Sequence, residues 1–160
     1  MILQVAALDI AKERRIMAQG KDRYHRQARR ALENDGWSIT HDPFTFRFFF
    51  PARLRVDLGA EITRDALEAQ RGGYLIAVEV KSFALTTVST DLYMAVGQYY
   101  CYNSWLRRTV PNRVLYLAVP DTAIDAVFMQ PIGQSVQADH GRIRLIGFDP
   151  ATERITQWID

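Results

Sequence analysis

The stretch Tyr74–Ser82, YLIAVEVKS, decides how this chain is read. It is rich in β-branched and apolar residues and predicts a strand. Side chains alternate faces along a strand, so Glu79 and Lys81 share one face with Leu75 and Ala77, while Val78 and Val80 take the other. A carboxylate and an ammonium on so apolar a strand are costly to bury unless they pair or serve a ligand.

Upstream, Arg53–Ala60 (RLRVDLGA) alternates and predicts another strand, with Asp57 set between Val56 and Leu58 under the same constraint. Phe44–Phe50 (FTFRFFF) is aromatic enough for a strand that Pro51 closes, and Trp37–His41 is a short one ended by Asp42-Pro43. Before these, Asp22–Asp35 is helical, with Asp22 as N-cap, inward positions at Tyr24, His25, Ala28, Ala31 and Leu32, and a stop at Asp35-Gly36. Residues 62–73 are polar and predict one or two helical turns ending at Gly72-Gly73.

Downstream, residues 89–108 open with a Ser/Thr/Asp cap and end in paired arginines, as a helix dipole favours. Asn112–Pro120 predicts a buried strand, 121–138 a helix bent at Pro131 and Gly133, and Arg142–Phe148 and Arg154–Ile159 two strands joined at Asp149-Pro150. The order α-β-β-β-α-β-α-β-β gives an α/β (α+β) class, a mixed β-sheet flanked by helices. Residues 1–20 are expected to be an N-terminal extension, helical or frayed, with Met17 a plausible alternative start; residues 21–160 form one domain.

The 160 residues include 20 Lys+Arg, 18 Asp+Glu, three His and one Cys. This length buries a core without staples, and Cys101 alone cannot make an internal disulfide. No apolar run approaches the ~20 residues of a membrane span, and the first segment has the wrong charge order for a secretory signal. A cytoplasmic protein without membrane association is expected. The net charge of +2 hides an uneven distribution: residues 1–30 carry eight Lys/Arg against three acids, leaving −3 for the remainder.

Two carboxylates on adjacent strands with a strand lysine suit a metal-dependent phosphodiesterase. Asp57 and Glu79 would hold Mg²⁺ or Mn²⁺ through oxygen, with the Val80 carbonyl as a further ligand. Lys81 would orient the attacking water or stabilise charge in the transition state. The alternative is an ion pair from Lys81 to Asp57 or Glu79 that only fixes register. Glu61 shares strand parity with Asp57 and becomes a third acid unless Gly59 bulges the strand. Spacings of three and four place Arg23, Arg26 and Arg30 on one helix face, able to neutralise DNA phosphates or simply to be solvated. Arg55 shares the face of Asp57 and would steer phosphate or balance the acids. No helix-turn-helix or finger carries base readout.

Helix, β-meander with Asp then Glu-x-Lys, helix and strand is the order of the PD-(D/E)xK, restriction-endonuclease-like core, with Val56 where that motif has Pro. The strings GKDRYHRQARRALENDGWSITHDPF (20–44), VDLGAE (56–61), AVEVKSF (77–83), LYMAVGQYY (92–100), RVLYLAVP (113–120) and ITQWID (155–160) together resemble the XisH family, the fdxN-element excision controlling factors. The resemblance runs from about Lys21 to the C-terminus. It implies a DNA-rearrangement accessory factor acting with a XisI-type partner protein and a site-specific recombinase, and it places Asp57, Glu79 and Lys81 on the superfamily's active positions. It also implies auxiliary roles for His25, near where many relatives carry a metal-assisting Glu, and for Gln98, where relatives often carry a Gln pointing into the cleft; a core or helix-face histidine is the plainer reading of His25. Met94, Gln98, Cys101, Tyr102 and Trp105 form one stripe of their helix and Leu92, Ala95, Val96, Tyr99 and Leu106 another, which suits a homodimer contact or a helix buried within a monomer. Two function classes follow: a Mg²⁺-dependent DNA endonuclease, or a catalytically silent nuclease-fold binding module working through its partner.

Overall fold

The computed structural model describes residues 22–47, 53–62, 73–83, 88–139 and 142–160. The expected extension at 1–20, the polar turns between 63 and 72 and the end of the aromatic strand at 48–50 lie outside the described residues. The elements are α1 (His25–Asn34), β1 (Ser38–His41), β2 (Phe44–Arg47), β3 (Arg53–Val56), β4 (Leu58–Ile62), β5 (Tyr74–Val80), α2 (Val88–Thr109), β6 (Arg113–Pro120), α3 (Asp121–Ala123) continuing as a π-turn (Ile124–Phe128), α4 (Pro131–Asp139), β7 (Leu145–Asp149) and β8 (Arg154–Ile159).

Six strands form one mixed sheet in the order β1-β4-β5-β6-β7-β8, and β2 and β3 pair separately. The β5–β6 and β6–β7 pairs are parallel, and the outer pairs are antiparallel. Parallel neighbours need a crossover, which α2 provides for the first pair and α3–α4 for the second. The mixed sheet flanked by helices is therefore as expected, with five strands ahead of α2 where the sequence marks four segments and the expected order carries three.

The alternation of β5 and β6 divides the core in two. Ile76, Val78, Val80 and Ala118 face α1, where Ala28, Ala31 and Leu32 are buried with Trp37, Ile146 and Phe148. Ala77, Leu115, Leu117 and Val119 face Leu92, Ala95, Tyr99 and Leu106 of α2 and Ile124, Val127 and Phe128 of the π-turn. Residues expected on two stripes of α2 thus separate: the Leu92 stripe enters the core, while Met94 and Cys101 are exposed.

Helix α1 ends through a Schellman arrangement. The Gly36 N–H donates to the Glu33 carbonyl at 3.1 Å and the Trp37 N–H to the Leu32 carbonyl at 3.0 Å, with Gly36 at φ 94°. The strand expected over Arg53–Ala60 is in fact two. It pairs with β2 up to Val56, bends at Asp57, and continues as β4 against β5. Likewise β7 begins at Leu145 rather than Arg142.

The helix expected over 121–138 is interrupted near its predicted bend. A Cβ on Gly133 would lie 2.4 Å from the Val127 carbonyl oxygen, so α4 packs on the π-turn backbone where only glycine fits. Gly133→Ala is expected to cost about 2–3 kcal/mol and to lower the melting temperature by roughly 5–10 °C, which a thermal melt would record.

Arg113 opens β6 yet is buried. Its Nη1 donates to the Ile76 carbonyl at 2.6 Å and lies 3.4 Å from the Ala60 carbonyl, and its guanidinium carbon sits 4.5 Å from the centre of the Phe44 ring. Burial pulls its pKa down. The side chain ties β2 to the main sheet, so Arg113→Ala is expected to cost about 2–4 kcal/mol through lost packing and unmade hydrogen bonds. Urea denaturation would show this as a lower midpoint with an unchanged slope.

Candidate functional site

Strands β4 and β5 run antiparallel with Leu58 opposite Val78, which brings the bend at Asp57 level with Glu79 at the end of the ladder. One hydrogen bond ties the pair across the strand end: the Asp57 carboxylate accepts the Val80 N–H at 2.8 Å, and the Glu79 carboxyl faces the Asp57 backbone N–H, which favours its ionised form. Asp57 keeps 23% of its side chain exposed, whereas Glu79 is only 6% exposed. Burial first, and then the charge of Asp57, push the Glu79 carboxyl up to about 8. Its Oε2 is buried without a hydrogen-bond partner.

Lys81 follows on the same face, half-buried, its N–H donating to the Ala118 carbonyl at 2.9 Å. Its charge favours the ionised form of Glu79, yet among the described residues no carboxylate forms an ion pair with it. Asp22 fastens this end of β5 to the entry of α1. One of its oxygens accepts the Tyr24 N–H at 2.9 Å and the other the Ser82 N–H at 3.0 Å.

His25 approaches Asp57 from α1. Its Nδ1 is 3.7 Å from Asp57 Oδ1, and its Nε2 is 2.9 Å from Asp42 Oδ1. Arg29 donates to the other Asp42 oxygen at 2.7 Å. The buried imidazole therefore lies between two carboxylates, one of which an arginine anchors. From the opposite layer, α2 contributes Gln98 and Tyr102. The Tyr102 hydroxyl is pushed up to about 12, by burial first and then by Glu79 and Asp57, while its hydrogen bond with Gln98 opposes the shift. Gln98 Oε1 is buried without a partner.

The structure thus brings together Asp57, Glu79, Lys81, His25 and Gln98, and leaves others apart. Glu61 is not a third acid. It is exposed, opposite Ser38 and Leu75, because β4 carries it four residues, roughly 13 Å, from the bend. Arg55 is exposed on β3, opposite Thr45 in the two-stranded sheet. Arg26 and Arg30 are exposed on α1, whereas Arg23 is exposed in the turn before the helix, 5.3 Å from the Tyr24 ring centre, so the helix starts later than the three-arginine face requires. Tyr102 and Asp42 complete the site, though the sequence reading gives neither a part in it. The i, i+4 spacing of Gln98 and Tyr102 is a usable signal for the first; nothing local marks the second.

Among the described residues no group of three or more His, Cys, Asp and Glu converges as a metal-ligand set. The candidate ligands are the two carboxylates. A cation such as Mg²⁺ is held by one or two carboxylates with water and phosphate completing its shell, and it would supply the partner that Glu79 Oε2 lacks. The residues present fit that kind of ion. Among the described residues no helix is long and apolar enough to cross a membrane.

The family model described as XisH protein matches residues 17–156. A solved structure of an XisH family protein from Nostoc punctiforme is 36% identical with a TM-score of 0.73. One of a fdxN element excision controlling factor protein from Anabaena variabilis is 33% identical with a TM-score of 0.74. Each match covers 86% of this chain and 98% of the other. No match is found among curated proteins.

Proposed function

The chain belongs to the XisH family, and from that premise we propose that it is a DNA element excision controlling factor with an endonuclease-like core, acting on DNA phosphodiesters with Mg²⁺ or Mn²⁺. The observation that carries this reading is the acid pair itself: Asp57 and Glu79 set level on adjacent strands, Asp57 accepting the Val80 N–H, with Lys81 beside them and in no ion pair with a carboxylate among the described residues.

Asp57 and Glu79 would hold the cation. When bound it supplies Lewis-acid polarisation of the scissile phosphate and a more acidic water. The chain's own residues do the rest. Loss of the Glu79 proton readies the second ligand. Lys81 places positive charge where the phosphorane-like oxygens develop. His25, set against Asp42, fixes the orientation of Asp57. Tyr102 and Gln98 cover the pair from α2 and limit the water around it. In cells the factor would work with a XisI-type partner protein and a site-specific recombinase. The exposed Tyr93 and Met94 of α2 offer apolar surface to that partner or to a second copy in a homodimer.

The test is cleavage of supercoiled plasmid and branched DNA with Mg²⁺, Mn²⁺ or chelator, with and without the partner protein. Divalent-dependent nicking is expected; none under any of these conditions would refute the enzyme reading. A catalytically silent module is the second reading, favoured by the protonated state that burial imposes on Glu79 near neutral pH. Calorimetric Mn²⁺ titration separates the two, since a silent module gives no binding heat at this site.

A further inference from the structure

Four arginines converge away from the acid pair. Arg107 and Arg108 at the end of α2, and Arg142 and Arg144 leading into β7, line a cavity of about 620 Å³ together with Tyr100, Asn103 and Ser104. The lining positions of α2 recur at i, i+3, i+4, i+7 and i+8 from Tyr100 and form one stripe, whereas Gln98 and Tyr102 occupy another. Turning 100° per residue, Tyr100 and Tyr102 point about 200° apart, so this cavity and the acid pair lie on different sides of the helix.

The charges here are poorly compensated. The C-terminal end of a helix attracts cations, which accounts for Arg107 and Arg108, and Arg108 also donates to the Ser104 carbonyl and hydroxyl at 2.8 Å. Arg142 and Arg144 come from another element and owe nothing to that dipole. The acid that reaches them is Asp160. Its carboxylate is 3.8 Å from Arg144 Nε and already accepts the Tyr116 hydroxyl at 2.7 Å, while its backbone carbonyl is 3.5 Å from Arg142 Nη1. Among the described residues Arg107 and Arg142 form no ion pair with a carboxylate. Guanidinium forks from two elements suit phosphate oxygens, and the Tyr100 ring and the Asn103 amide at the same wall suit a nucleobase.

We propose that this arginine cavity binds consecutive phosphates of a nucleic-acid strand, a contact separate from the acid pair and from the arginine face of α1. The proposal deepens the DNA reading above, but strand binding here requires no cleavage. The strand crosses the arginines with one base against Tyr100, and the hold on it is mainly electrostatic.

The experiment is fluorescence anisotropy of a labelled 20-nucleotide single strand and of the matching duplex, in chelator so that nothing is cut, across a salt series. Arg107→Ala/Arg142→Ala is expected to weaken binding at least tenfold and to lower the salt dependence by about two phosphate contacts. Arg154→Glu, which removes the same two units of charge at an exposed position on β8, serves as a charge-matched comparison. Circular dichroism confirms that each variant is folded. Unchanged affinity and salt slope in the cavity variant would overturn the proposal, as would equal weakening in both variants, which indicates net charge alone. Binding of a labelled mononucleotide while the strand itself fails to bind assigns the cavity to free nucleotides and also overturns it. Competition by poly-glutamate equal to that by DNA does so in favour of acidic peptides. Strand binding without any nuclease activity supports the cavity while refuting the enzyme reading, so the two fail separately.

Discussion

Asp57→Asn is expected to abolish divalent-dependent nicking, by a factor on the order of 10³, while leaving the protein folded. The expectation follows from what the side chain does. Its carboxylate is the accessible half of the acid pair, and Lewis-acid stabilisation by a cation it holds is worth several kcal/mol of barrier. The amide oxygen of Asn still accepts the Val80 N–H that Asp57 now accepts at 2.8 Å, so the strand end keeps its hydrogen bond. The measurement is nicking rate against Mn²⁺ concentration, with a thermal melt of the same sample. An Asp57→Asn variant that cuts as well as wild type would remove Asp57 from the chemistry.

Glu79 carries the second large effect, in stability rather than rate. Its carboxyl is raised from an ordinary 4.5 to about 8 in the folded chain. Between those values the folded state binds the proton and the unfolded state does not, so stability falls as pH rises through this window. In chelator, raising the pH from 5 to 8.5 is expected to remove a few kcal/mol on this account, or about 5–10 °C of melting temperature. Glu79→Gln, neutral at every pH, should flatten that slope and be more stable than wild type at pH 8.5. Mn²⁺ should restore wild-type stability at high pH and leave the Gln variant unmoved. Parallel slopes for wild type and Glu79→Gln would refute the assignment.

Much of this is readable from the residues, for identifiable reasons. Tyr74–Val80 and Arg113–Pro120 announce themselves because strands buried on both faces are continuous apolar runs. The Asp35-Gly36 stop is local chemistry and needs no tertiary information. The division of 53–62 at Asp57 is a different matter. A chain passing from one sheet to another keeps its alternation on both sides of the bend, so the pattern predicts one strand where there are two. That misplaced register is also why alternation groups Glu61 with Asp57. Arg113 hides for a similar reason: an arginine at a strand's first position reads as solvent-facing, and only the carbonyls of Ala60 and Ile76, far away in sequence, call it inward. Within the site, Glu79 and Lys81 are legible because charge on an apolar strand is costly. Asp42 is not, because an acid before proline is ordinary turn chemistry until His25 and Arg29 are folded against it.

The bend at Asp57 has an evolutionary consequence. The residue belongs to neither ladder: β3 is registered by β2 and β4 by β5, and both pairings stand whatever side chain occupies position 57. Stability therefore offers the carboxylate little protection against drift, since its loss gives up one hydrogen bond at a strand end, about 1 kcal/mol. A lineage released from selection for cleavage would shed this acid early and keep the scaffold. The residue found at this corner in other members of the family is thus a record of whether each still uses the chemistry.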